Sequence, residues 1–405
     1  MTIETDIIVI GAGPCGSFSA LTAAKLGAKV AVFEEHPTVG VPSHCAGHLS
    51  LSGLKRIGLK LPSSFVENTF KGVVFFSPSG KQFFVRFPLP VTCTINRELF
   101  DQHLANIAAR LGAHYFLNSR VKSLVLEHDA VKGVIIHEQG KARTEKISAH
   151  VIIDAEGIAS TVLKNVRLKP FNQKMLAKAV SAEVDNVRDV ENDCVEVYFG
   201  NEFADGLYAW ISPKRDGAAK VGLATNRGNP KQCLEHFMNN HKVASGKLRK
   251  SRVTRLSYHA IPLGGPISKT YADGFLAVGD VASQVKPTTG GGVVMGLTCA
   301  QIAGEVAAQA VKEGNFSESS LKRYEELWKQ KIGFDMRAML FARKLLNRLS
   351  DHEIDSLFRI AGRLRVNETL VQVKDVDFQG KELLRLAKSP SSVATLAYFL
   401  FSAFT

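Results

Sequence analysis

At 405 residues and 44.1 kDa, the chain is long enough for two or three lobes around a substantial core. Hydrophobic content of 45%, charged content of 22% and a mean hydropathy of +0.01 exclude a disordered, collagen-like or polytopic membrane protein. Fifty-one basic residues against thirty-eight acidic ones leave a charge of +13, which suits nucleic acid, an anionic membrane, a phosphorylated substrate or water alone. No uninterrupted apolar run reaches the roughly 18 residues of a spanning helix. The start, with two acids before residue 7, is unlike a signal peptide. The six cysteines show no CxxC spacing, which speaks against a zinc centre or a disulfide framework and fits a reducing cytosol.

Residues 7–10 form an apolar, β-branched run that predicts a buried parallel strand. It leads into Gly11-Ala12-Gly13-Pro14-Cys15-Gly16, then a helical stretch to about 25 and a second strand at 29–33. This is the strand–turn–helix–strand setting of a dinucleotide fingerprint. Gly11 permits the turn, Gly13 lets a pyrophosphate approach the backbone, and Gly16 lets the helix close on the strand. The helix start then aims free N–H groups at the phosphates. Glu34, eighteen positions beyond Gly16, is placed for ribose hydroxyls and disfavours a 2′-phosphate. The fingerprint leaves FAD and NAD both open.

Further along, residues 70–92 alternate apolar and polar around Ser77-Pro78-Ser79-Gly80, a hairpin pattern. Strands are predicted at 121–127 and 131–137, then at 176–184, 194–199, 207–211 and 220–223, the last four as a mostly antiparallel sheet. Tyr208 and Trp210 fall on one face of such a strand, as an isoprenoid channel or as ordinary sheet core. Lys242, Lys247, Arg249, Lys250, Arg252 and Arg255 run without an intervening acid. They read as a solvated face or as a patch for anionic lipid, and without aromatic interleaving they do not read as a nucleic-acid surface. Residues 273–280 predict a turn and a buried strand ending at Gly279-Asp280. Gly290-Gly291-Gly292-Val293 then opens a helix to about 312. Three glycines at a helix start expose N–H groups to a flat ring and favour the anion of a reduced isoalloxazine, which shifts the balance from NAD to FAD. From 317 onward the pattern is helical, and the apolar segment 393–404 is too short to span a bilayer. It reads as an interfacial anchor or a buried terminal helix.

Over residues 4–330 the chain resembles the FAD-dependent geranylgeranyl reductase family, within the p-hydroxybenzoate hydroxylase-like flavoproteins. Four further segments carry the resemblance. Val39-Gly40-Val41-Pro42-Ser43-His44-Cys45-Ala46-Gly47-His48 is similar to the family's segment beside the flavin. Asn96-Arg97 opens a helix like the one whose arginine reaches FAD. Asp154-Ala155-Glu156-Gly157 and Tyr208-Ala209-Trp210 are similar to a family turn and to the stretch lining its lipid cavity. Ala46, Gly47 and His48 depart from the usual Gly-Glu-Gly, Glu156 stands where Asp is common, and Ser212 replaces a phenylalanine.

The resemblance implies an α/β fold, α+β overall. A Rossmann-type FAD-binding domain is expected in three parts, 1–65, 96–165 and 259–325. An antiparallel substrate domain takes 66–95 and 166–258, and a helical region 326–405. It implies FAD contacts from Gly11, Gly13, Cys15, Gly16 and Glu34 at the nucleotide end, with Val121 beside the adenosine. It implies contacts from Cys45, Ala46, His48, Arg97, Asp280, Gly290, Gly291, Gly292 and Val293 at the ring. Cys45 is either a proton source or a small residue packed beneath the ring. The implied activity is saturation of geranylgeranyl double bonds, with Tyr208 and Trp210 lining an isoprenoid lipid substrate. The electron donor would be a ferredoxin-like carrier or NAD(P)H. The expected location is the cytoplasm, peripherally on the membrane. An electron carrier to quinone and an aromatic hydroxylase are the alternatives. No metal is expected.

Overall fold

The structure, a computed structural model, describes residues 4–140, 143–373 and 375–386. The apolar segment 393–404 lies outside the described residues. A six-stranded sheet runs in the order Tyr271–Ala272, Phe275–Ala277, Val151–Asp154, Ile7–Ile10, Val30–Phe33, His114–Phe116. All its pairings are parallel except the short first one. Every residue of Ile7–Ile10 is buried, because helices cover one face and a small sheet the other. The helix Pro14–Lys25 packs between Arg97–Arg110 and Val293–Glu313. Ser19 bonds across to the carbonyl of Ala300 at 3.1 Å. Val293–Glu313 is apolar and long enough to cross a bilayer, yet 78% of its most apolar window is buried inside the protein.

The three-stranded antiparallel sheet Thr144–Ser148, Ala130–Glu138, Ser119–Glu127 covers the opposite face. Its middle and last strands match the pair read from the sequence, and the edge strand Thr144–Ser148 is additional. A small sheet, His48–Ser50, Thr92–Ile95, Val66–Phe70, stitches the loop carrying Cys45 to the rest of the chain.

The long sheet has seven strands in the order Arg252–Pro262, Leu176–Asp185, Ala219–Thr225, Ala209–Pro213, Cys194–Tyr198, Gly72–Phe76, Gln82–Arg86. All pairings are antiparallel except Cys194–Tyr198 with Gly72–Phe76. The hairpin around residue 80 forms as its pattern predicts. Two expectations need correction. The strand expected at 207–211 starts at Ala209, so Tyr208 precedes it. The last residues of the basic run, Arg252 and Arg255, stay exposed at the start of the eleven-residue edge strand Arg252–Pro262. The division expected between 258 and 259 falls inside this strand.

The two faces of the long sheet have different duties. Val74, Phe76, Val180, Ala182, Val184 and Val221 pack under the helix Pro230–Asn240 and form a closed core. The alternate residues, offset by one position, face the nucleotide half. The helices Glu318–Trp328, Phe334–Leu346, Asp351–Arg363, Val366–Leu370 and Gln379–Leu386 follow. Tyr324 and Trp328 clamp the first of them to the six-stranded sheet, bonding the Ala277 carbonyl at 2.9 Å and Thr270 Oγ1 at 3.0 Å.

Candidate active site

The fingerprint turn leaves the strand Ile7–Ile10 at its carboxyl end. Gly11 has φ of +88°, and a methyl group there would sit 2.7 Å from the Ala155 carbonyl. At Gly16 a methyl group would come within 1.9 Å of the Gly11 carbonyl oxygen. At Gly13 it would meet nothing within 4 Å. Two of the three glycines are therefore needed by the fold, and the third opens onto free space at a helix N-terminus. That is the arrangement a dinucleotide pyrophosphate requires. Glu34 is buried beside the turn; its carboxylate accepts the Ala12 N–H at 2.8 Å and the His36 N–H at 3.0 Å. Val121 is buried in the neighbouring small sheet.

Cys15 links this end to the far motif. A methyl group on Gly279 or Gly296 would lie 2.9 or 2.5 Å from its sulfur. Burial, with the Asp280 carboxylate adding, pushes its thiol pKa far up, so it packs as a neutral group. Asp280 sits in the turn Gly279–Ala282 after the strand Phe275–Ala277, and a methyl group on Gly292 would approach its Oδ1 to 3.1 Å. Gly290 takes φ of +71°, and Val293 begins the long helix. The loop between is tied on both sides. Tyr208 donates its hydroxyl to the Thr289 carbonyl at 2.6 Å, and Lys286 pairs with Asp377 at 2.7 Å. Burial raises the Tyr208 phenol to about 12, which keeps it a donor.

Across from this loop lies the segment carrying Cys45. The residue is exposed, and its sulfur accepts the Gly47 N–H at 3.3 Å. Gly47 has φ of +74° and no room for a side chain, since a methyl group would reach the Ile95 carbonyl at 2.4 Å. Ala46 is half-buried. His48 is exposed, its ring stacked on that of Phe70 at 5.5 Å. Desolvation by the protein packed around the ring lowers its pKa to about 4, with Lys286 adding to the effect. Arg97 starts a helix, where the dipole disfavours a cation. Asp101 answers it one turn on, in a bidentate pair of 3.0 and 2.9 Å. Burial opposes the guanidinium charge, but the Asp101 carboxylate outweighs it, and the Arg97 pKa is raised.

The inward face of the long sheet completes the site. Trp210 lies so close over Gly222 that a methyl group there would reach its indole at 2.4 Å. From Trp210 the aromatic rings continue through Tyr208 (6.1 Å), Phe199 (6.2 Å) and Phe358 (6.0 Å) to Phe83 (6.4 Å), a half-buried apolar track. In the other direction the face turns polar. Lys220 pairs with Glu67 at 2.6 Å, and Lys214 bridges Glu67 and Glu183 at 3.0 and 3.1 Å. Cys45, Arg97, Ser181, Lys220 and Ser257 line one cavity there.

The structure thus packs Cys15 against Gly279 and Gly296 beside Asp280, places Cys45 and Arg97 on one neighbouring cavity, and ties Tyr208, next to Trp210, to the glycine loop. The Glu67–Lys220 pair and the partners Phe199 and Phe358 were not read from the sequence, because no local spacing joins positions so far apart. In the basic run, Lys247 is partly buried and pairs with Glu196, while Arg252 and Arg255 pair with Asp185 and Glu98 at 3.2 and 2.7 Å.

Comparison with known proteins agrees with this architecture. A family profile described as an FAD binding domain matches residues 4–330. The digeranylgeranylglycerophospholipid reductase of Methanocaldococcus jannaschii is 36% identical over 360 residues, covering 88% of this chain and 90% of that protein. Digeranylgeranylglycerophospholipid reductase 2 of Methanopyrus kandleri is 32% identical over 392 residues, covering 95% and 96%. A crystal structure of a geranylgeranyl bacteriochlorophyll reductase-like protein from Thermoplasma acidophilum superposes with a TM-score of 0.87 at 28% identity, covering 98% of this chain and 99% of that one. A flavin-dependent brominase, 19% identical with a TM-score of 0.69 over 88% of this chain and 93% of its own, shares the fold. Identity of this order along nearly the full length, on a fold that supplies the matching cradle, means that the chain belongs to the digeranylgeranylglycerophospholipid reductase family of FAD-dependent oxidoreductases.

Proposed function

We propose that the protein saturates geranylgeranyl C=C bonds, and that its substrate is a digeranylgeranylglycerophospholipid. The observation that carries this is the aromatic track from Phe83 to Trp210, which ends where Tyr208 grips the glycine loop at Thr289. A half-buried row of rings set edge to face suits a long unsaturated hydrocarbon, and its end beside the loop delivers one double bond at a time.

FAD, when bound, supplies a hydride to one alkene carbon. The chain's part is to bind, orient and exclude water. Gly13 and the Pro14–Lys25 helix start would take the pyrophosphate, with Glu34 on the ribose and Val121 beside the adenosine. The N–H groups of Gly290, Gly291, Gly292 and Val293 would face the ring's pyrimidine edge, while Ala46 and His48 would lie opposite. Tyr208 fixes the loop, and Trp210 holds the alkene's flank. The second alkene carbon needs a proton, and Cys45 is exposed on the cavity that it lines together with Arg97. We assign Cys45 Sγ as the atom that holds this proton.

An external carrier must supply electrons. The chain has one dinucleotide fingerprint, which supports a ferredoxin-like donor as well as NAD(P)H. A lipid substrate and a charge of +13 support a peripheral position on the cytoplasmic face of the membrane. The test is anaerobic. Reduced holoenzyme mixed with digeranylgeranylglycerophospholipid should reoxidise while the lipid gains two mass units per bond. Reoxidation by quinone or oxygen alone, with lipid mass unchanged, would favour an electron carrier or a hydroxylase instead.

A further inference from the structure

His259 is not among the residues that would bind the flavin or the lipid, yet it joins the two halves of the site. It lies on the inward face of the edge strand Arg252–Pro262, two positions before Ile261, whose side chain abuts Gly290. Its Nε2 is 3.5 Å from Asp280 Oδ2, both side chains about one-third exposed. Its ring also stacks on that of His44 at 6.4 Å and an interplanar angle of 10°. His44 immediately precedes Cys45. One imidazole therefore bridges the acid at the strand end and the cysteine loop.

The charges around it are few. Asp280 faces it from the turn Gly279–Ala282, and His44 from the loop. On its own strand Arg255 is engaged by Glu98 at 2.7 Å. The adjoining strand Leu176–Asp185 places Ala179 opposite it. His36 lies further out and acts on His44. Two stacked imidazoles and one carboxylate favour a single proton, because a second would place like charges face to face. Burial lowers the pKa of His44, and His259, His36 and Arg255 lower it further. His259 is the imidazole of the two whose Nε2 faces the Asp280 carboxylate.

Asp280 creates the need for it. Resting on the reading that the flavin ring lies against the Gly290–Gly292 loop, a carboxylate stands beside the place where reduction adds negative charge. Two such charges at close range oppose reduction, and the helix start offsets only part of the effect. A fixed cation would favour the reduced ring permanently. An imidazole is different, because it can be neutral in one redox state and charged in the other.

We propose that His259 binds one proton when the bound flavin accepts two electrons and releases it when the substrate is reduced, acting through Asp280 as a positioning residue. The balance is two electrons and one proton to the flavin, with one further proton from solvent to His259. On hydride transfer the flavin returns to its oxidised form and His259 gives its proton back to solvent or, along the stacked His44, toward the Cys45 loop.

The test uses FAD-loaded protein and a readout other than turnover. Wild-type holoenzyme reduced in weak buffer near pH 6.5 should take up two protons per FAD, counted with an indicator dye. The absorbance of the reduced ring reports its own protonation separately. Its midpoint potential should fall by about 60 mV per pH unit around neutrality, since each proton linked to a two-electron couple contributes about 30 mV per unit. His259→Gln should take up one proton and show about half that slope, with FAD still bound. Uptake of one proton by the wild type with an anionic reduced ring, or identical slopes in wild type and variant, would overturn the proposal. The proton count needs no variant, so a misfolded H259Q protein leaves the wild-type result decisive. A wild-type chain that takes up no FAD overturns the cofactor reading, and this inference with it.

Discussion

At the scale of single residues, the three fingerprint glycines separate folding from binding. Gly13 has φ of −60° and ψ of 179°, which any residue adopts, and open space where a side chain would project. Gly13→Ala should leave apo stability within about 0.5 kcal/mol of wild type while weakening FAD binding tenfold or more, measured by flavin fluorescence titration. Gly16→Ala forces a methyl group onto the Gly11 carbonyl. It should lose roughly 1–3 kcal/mol or more by denaturant unfolding even without cofactor. A second residue-level prediction concerns acid. His241 is buried, and burial lowers its pKa to about 4, with Lys242 adding and Glu202 opposing. An unfolded histidine titrates near 6.5, so between pH 6.5 and 4 the unfolded chain binds a proton that the folded chain refuses. Stability should fall as pH drops through that window, by roughly 1–3 kcal/mol from this residue. His241→Asn should flatten the acid limb of a stability–pH curve; an unchanged limb would show that His241 does not set it.

At the scale of elements, the parts legible in the sequence are those whose constraints are local. The run at 7–10, the glycine turn and Glu34 lie within thirty residues, and each answers to one steric or electrostatic demand. The hairpin at 72–86 is equally local. The strand Arg252–Pro262 was hidden for a physical reason. It is a sheet edge, exposed along its first residues, and its inward face carries Arg255, Ser257 and His259 because it borders a polar site. Charged edges guard against strand pairing between molecules and read as surface. Exposure of Cys45 was likewise invisible, since it depends on how the Gly47 turn meets Ile95. The glycine loop yields a prediction at this scale. Tyr208→Phe removes the hydrogen bond to Thr289, worth about 1 kcal/mol, and should weaken FAD binding about fivefold with little change in unfolding midpoint. Trp210→Ala should instead raise KM for prenyl lipid about tenfold or more and leave FAD affinity unchanged, as titration and initial rates would reveal.

Over the whole molecule, cofactor half, long sheet and C-terminal helices meet at one loop. Lys286, partly buried, pairs with the buried Asp377, Thr288 bonds Gln379 at 2.5 Å, and Arg56 pairs with Asp375 while its guanidinium stacks on Phe378 at 4.1 Å. The segment 375–379 therefore closes over the loop that precedes the three glycines. Asp377→Ala leaves a partly buried lysine unpaired and should destabilise the fold by about 1–3 kcal/mol, with FAD lost in parallel; Lys286→Met with Asp377→Leu should recover much of the stability. The central claim is that the flavin ring lies between the Cys45 segment and the Gly290–Gly292 loop, with a prenyl chain laid along Trp210, Tyr208 and Phe199. The most direct measurement is a crystal structure of the FAD-loaded protein with a saturated lipid analogue. The account predicts the isoalloxazine within contact of Gly291 and Cys45 and the hydrocarbon against the aromatic track. A ring bound elsewhere, or a lipid chain that leaves Trp210 untouched, would contradict it.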